Sequence, residues 1–143
     1  MPEPHADMMD VILARLRAQL PASVDIDELD SREHFETRLM RVPAVFVLFG
    51  GLTFEVPKVR ATPGRQNQEW QWEVFVAARG RKREKTSGLD YGSLLRSVFL
   101  ALRGLALGEP GAVLEAKAEE FIEALPGGVV YAQTWTAWRQ ETV

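Results

Sequence analysis

The chain contains no cysteine, which excludes structural disulfides, thiolate zinc sites, iron–sulfur clusters and cysteine nucleophiles together. Its fold has to stand on packing alone. Histidine is scarce as well: His5 and His34 are the only two. Neither falls in a motif with a serine or a carboxylate, so both read as solvated side chains and not as a base or ligand. No apolar run approaches the roughly 18 residues of a membrane-spanning helix. The opening Met1-Pro2-Glu3-Pro4-His5-Ala6-Asp7 has prolines and acids where a secretory signal needs a basic and then an apolar stretch. Work in the cytoplasm, or in something assembled there, is the expectation. The glycines at Gly50-Gly51 and from Gly104 to Gly111 lack GxxxxGK[ST] and GxGxxG spacing and fall where turns are needed. With no nucleophile, base and orienting group to assemble, the expectation is a protein that is not an enzyme and holds no cofactor.

What is present fits one ordinary domain spanning 1–143, with 1–6 as a flexible tail. At 143 residues the chain is long enough for a hydrophobic core. Its 46% hydrophobic and 26% charged residues match globular proteins. The net charge of −3 conceals an asymmetry, because the seven residues Arg79-Gly80-Arg81-Lys82-Arg83-Glu84-Lys85 carry +4 and the other 136 carry −7. One basic loop on an acidic body suits charge-matched contacts better than nucleic-acid binding, since most of that body repels phosphate.

The stretch around which the chain is organised is Pro43-Ala44-Val45-Phe46-Val47-Leu48-Phe49, uncharged and bounded by Pro43 and Gly50-Gly51. It predicts a strand with apolar residues on both faces, turning at the glycines into a second strand, Leu52 to Val56. Upstream, Met9, Ile12, Leu13, Leu16 and Leu20 form one stripe of a helix over 7–20 that Pro21 stops. The alternation in 23–29 predicts a short edge strand with Val24 and Ile26 inward, and 30–41 a short capped helix carrying Phe35 and Leu39. Lys58 to Glu69 reads as a loop. From Trp70 to Ala78 strict alternation places Trp70, Trp72, Val74, Val76 and Ala78 on one face. Tyr91, Leu94, Leu95, Val98, Leu102 and Leu105 keep helical spacing over 89–105, with Asp90 at the start and Arg103 at the end. The final section predicts a hairpin turning at Pro126-Gly127-Gly128. Its first arm, Val113 to Leu125, has Phe121 and Leu125 on one parity, while the alanines and glutamates equally favour a helix at its start. The fold class is therefore α+β, a largely antiparallel sheet of four to five strands with two main helices on one face. Its other face is left less covered, a reason to expect a partner or a second copy.

Three groups of residues invite a functional reading. Asp25, Asp27, Glu28 and Asp30 are spaced closely enough for a hard cation, but they lack the glycine and distal glutamate of a calcium loop, and acids on an edge strand explain them. Arg79, Arg81, Lys82, Arg83 and Lys85 form a candidate contact loop: first a solvated loop, then a docking element for an acidic surface or a DNA-lined channel, and only distantly a nucleic-acid reader. Of the four tryptophans, Trp70, Trp72 and Trp135 read as core, and Trp138, near the terminus, is the candidate interface anchor.

Val11-Ile12-Leu13-Ala14-Arg15-Leu16, then Arg41-Val42-Pro43-Ala44-Val45-Phe46-Val47 with Phe49-Gly50-Gly51, then Trp72-Glu73-Val74-Phe75-Val76-Ala77-Ala78-Arg79, resemble the Mu-like bacteriophage tail terminator family. Tyr91-Gly92-Ser93-Leu94-Leu95-Arg96-Ser97-Val98 and Val130-Tyr131-Ala132-Gln133-Thr134-Trp135 are similar too. The likeness covers nearly the whole chain in order, least of all 112–128. It implies a virion structural protein without catalytic activity, forming a ring, commonly a hexamer, on the head-proximal end of the tail tube. Its implied partners are further copies of itself, the tail tube protein and the head–tail connector, with non-specific contact to DNA if the basic loop lines the channel. Another head–tail junction protein or a small nucleic-acid-binding module are the alternatives.

Overall fold

A computed structural model describes residues 4–30, 42–54, 65–80, 90–108, 112–125 and 127–142. The elements in order are α1 (Pro4–Gln19), β1 (Asp25–Leu29), β2 (Ala44–Phe54), β3 (Arg65–Ala78), α2 (Tyr91–Leu102), β4 (Glu115–Leu125) and β5 (Gly128–Thr142). The strands make one five-stranded sheet in the order β1-β2-β3-β5-β4. All neighbours are antiparallel except β1 and β2, which run parallel. The α+β class, the two helices and the largely antiparallel sheet agree with the expectation.

Both helices dock on one face of the sheet. Met9, Ile12, Leu13, Leu16 and Leu20 are all buried, as their spacing requires, and Met8 joins them. They pack with Leu94, Leu95, Val98, Ala101 and Leu102 of α2 over Val45, Val47, Trp70, Trp72, Val74 and Trp135. The Arg15 guanidinium ties the helices together by donating from Nε to the carbonyl oxygen of Ala101 at 3.0 Å. Asp90 caps α2, its Oδ1 accepting from the Ser93 amide at 2.8 Å, which satisfies a donor that the first helical turn leaves unpaired.

Several boundaries differ from the sequence reading. Gly50-Gly51 does not reverse the chain. β2 continues through it with a bulge, its register against β3 slipping between Phe49 and Gly51 before Leu52, Thr53 and Phe54 pair with Trp70, Glu69 and Gln68. Gly51, at φ 134°, occupies backbone space that side chains disfavour, which is what lets one strand absorb an extra residue where a turn was expected. The same pairing makes 65–69 part of β3, although 58–69 read as loop, because β5 is long enough to carry the ladder out to Arg65↔Thr142. α1 begins at Pro4, inside the expected tail, proline being at home in a first helical turn. The first arm of the expected hairpin is strand over Glu115–Leu125, held by pairing to β5 although its alanines and glutamates also suit a helix. The helix expected over 30–41, and strand positions 55 and 56, lie outside the described residues.

The second sheet face is also better covered than expected over half its extent. Leu29, Ala44, Phe46, Phe75, Ala77, Val130 and Ala132 form a second buried cluster there. The rest of that face, with Glu69, Gln71, Glu73, Thr134 and Trp138, is the polar half.

Candidate functional site

Trp138 lies on the polar half of the second face, directly across from Glu69 in the β3–β5 register. It is 47% exposed, whereas Trp70, Trp72 and Trp135 are at most 2% exposed. This is the division the sequence pointed to. Beside it Lys117 Nζ meets Glu69 Oε2 at 3.6 Å. The result is a half-exposed large ring next to an ion pair whose glutamate is itself largely buried, suited to an apolar contact with a polar margin.

Of the candidate contact loop, only Arg79 falls within the described residues. It directly follows β3, exposed, bridging to Asp90, and its carbonyl accepts from the Tyr91 amide at 3.1 Å. It shares with Arg17, Asp25 and Pro43 the wall of a cleft of about 800 Å³. Arg81, Lys82, Arg83 and Lys85 lie outside the described residues, as does His34.

The acidic group Asp25, Asp27 and Glu28 is placed on β1, the outermost strand on its side. Among the described residues no cluster could hold a metal ion. Asp27 Oδ1 accepts from the Glu28 amide at 2.8 Å, an internal strand-edge contact. Partial burial, followed by the charges of Asp30, Asp10 and Asp27, raises the Glu28 carboxyl above its ordinary value.

A further surface has little signature in the sequence. Tyr131 stacks on Tyr91 with ring centres 5.1 Å apart, and Phe121 meets it edge-on at 5.7 Å. Tyr91, Tyr131, Arg96, Phe99 and Glu119 line a cleft of about 500 Å³ between α2 and β4. Burial and the neighbouring Tyr91 push the Tyr131 hydroxyl up, so it stays neutral as a hydrogen-bonding group. Gln133, buried beneath, donates to the Leu95 carbonyl at 3.1 Å and to Glu119 Oε1 at 2.9 Å, and its own Oε1 accepts from Trp135 Nε1 at 3.1 Å. The rings come from α2 and from the two arms of the β4–β5 hairpin, far from it in sequence, so no local pattern reveals the cleft. The helical spacing of Leu95, Arg96 and Phe99 after Tyr91 is its one legible trace.

Comparison with known proteins finds no family model that matches the chain and no curated protein similar to it. No helix among the described residues is long and apolar enough to cross a membrane.

Proposed function

We propose that this chain is a structural protein of a phage tail, forming a ring at the head-proximal end of the tail tube that ends polymerisation and offers the joining surface to the head. The observation that carries the reading is Trp138, a half-exposed tryptophan on the polar half of a sheet whose other three tryptophans are buried. A ring of that size left in water is the anchor type that interfaces favour. The segments resembling tail terminators support it further, since they coincide with α1, β2, β3, α2 and β5 in order. The partners on this reading are copies of the chain, the tube protein and the connector, the location is the virion, and no catalytic step is involved. Acidic residues on both outer strands, Asp25, Asp27 and Glu28 on β1 and four glutamates on β4, weigh against a nucleic-acid-binding module.

Electron microscopy of a lysate from phage lacking the gene tests the function. Overlong or irregular tails separate from full heads are the expected result. Tails of normal length that fail to attach would move the protein to a neighbouring junction role, and intact infectious particles would end the proposal. Reversing Arg81, Lys82 and Arg83 to glutamate should impair head joining or DNA passage while leaving tail length unchanged. Normal infectivity of that variant would remove the loop from the mechanism.

A further inference from the structure

The outer side of α2 carries a strip that the core does not use. Leu94, Leu95, Val98, Ala101 and Leu102 are buried, which leaves Arg96, Phe99, Leu100 and Arg103, at spacings of three, four and seven, on the flank and outer surface. Leu100 is 44% exposed. The guanidiniums of Arg96 and Arg103 lie 5.5 and 5.9 Å from the centre of the Phe99 ring, which holds both charges close to the apolar ridge. From Tyr91 to Arg103 the helix has no acidic residue.

β4 presents the complement. Phe121 and Ile122 are 55% and 39% exposed. Around them stand Glu115, Glu119, Glu120 and Glu123, against the single basic residue Lys117. The backbone of this edge is badly placed to extend the sheet into another molecule. Its register against β5 breaks between Ala116 and Ala118 and again between Phe121 and Glu123, and bulges and charges on an edge oppose strand pairing. The opposite edge, β1, is acidic too, so joining β1 of one copy to β4 of another would set like charges face to face. The partner that fits β4 is a surface both apolar and positive, met through side chains. The α2 strip has that chemistry.

We propose that copies of this chain join head to tail, the Phe121–Ile122 edge of one copy seated on the Arg96, Leu100 and Arg103 strip of the next. Two different patches meet in this contact, so in a joined pair one copy keeps its strip free and the other its edge, and further copies add until the rotation closes the series into a ring. The inference rests on the assembly reading only in requiring self-association. Within one chain Arg96 and Glu119 already line the same cleft, so the contact has to be demonstrated between chains.

The absence of cysteine makes disulfide trapping specific. Leu100→Cys and Ile122→Cys replace exposed side chains outside the core. Under mild oxidation neither variant alone should cross-link, an equimolar mixture should give a dimer, and a chain carrying both should give a ladder beyond the dimer. Adding Arg96→Glu and Arg103→Glu to the Leu100→Cys chain should abolish the mixed dimer. Adding Glu120→Lys and Glu123→Lys to the other partner should restore it. A mixture that cross-links no more than its components overturns the contact, as does self-cross-linking of either single variant. A double variant that stops at the dimer, or closes only within one chain, overturns it too. Tail length in the deletion lysate is independent of all these outcomes, so a chain that caps tails yet gives no mixed dimer loses this contact and keeps the function.

Discussion

At the scale of single residues, the two buried tryptophans at the centre of the sheet differ in a way that stability measurements can resolve. Trp72 and Trp135 are register partners, both fully buried. Trp135 Nε1 donates to Gln133 Oε1, whereas Trp72 Nε1 has no hydrogen-bond partner among the described residues. Phenylalanine at either site leaves a similar cavity. At 135 it also strands a buried amide oxygen, so Trp135→Phe should destabilise by about 1–2 kcal/mol more than Trp72→Phe in denaturant unfolding. Gly128 is constrained by space and not by torsion: a Cβ there would come within 2.9 Å of the Ala78 carbonyl oxygen. Because that neighbour is backbone in a paired strand, Gly128→Ala should destabilise by about 1–3 kcal/mol. Glu28 adds a pH dependence. Its raised value means that the folded protein holds more protons than the unfolded chain between 4.5 and the folded value. Stability therefore falls as pH rises through that window, and above it the ionised carboxylate remains a penalty. Glu28→Gln should melt slightly higher than the parent at neutral pH, and the difference should vanish in acid. Since Glu28 is exposed, the shift will be small.

At the scale of elements, α2 depends on its cap and β2 on its bulge. Asp90→Ala removes the acceptor for the Ser93 amide and should lower stability by about 1 kcal/mol, with Asp90→Ser recovering most of it. The alternation of 70–78 and the helical stripes of α1 and α2 were legible because each buries a single regular face, and period alone then fixes which residues point inward. The Gly50-Gly51 bulge was not. Two glycines after an apolar run signal a turn unless a long partner strand carries the ladder past them, and that partner, 65–78, begins in residues of loop-like composition. β4 was undecidable for a related reason: a sequence rich in alanine and glutamate becomes a strand here by pairing with β5, a non-local term that propensity does not contain.

At the scale of the whole molecule, stability and assembly should separate. Trp138 is half exposed and belongs to neither buried cluster, so Trp138→Ala should cost only about 1–2 kcal/mol of folding free energy. On the proposed function the same change weakens the joining of heads to tails, read as loss of infectivity in a complementation assay. Trp135→Ala should do the reverse, destabilising the fold by about 3–5 kcal/mol. The sequence alone determined the composition-level exclusions, the α+β class, the inward faces of the regular elements and the one tryptophan left outside, because these follow from local periodicity and position along a strand. The tertiary structure alone decided the strand order, the acidic character of both sheet edges and the neighbourhood of Arg96, Phe121 and Ile122. Those depend on which distant segments pair, and pairing is set by the burial of two sheet faces at once, which no window along the chain can see.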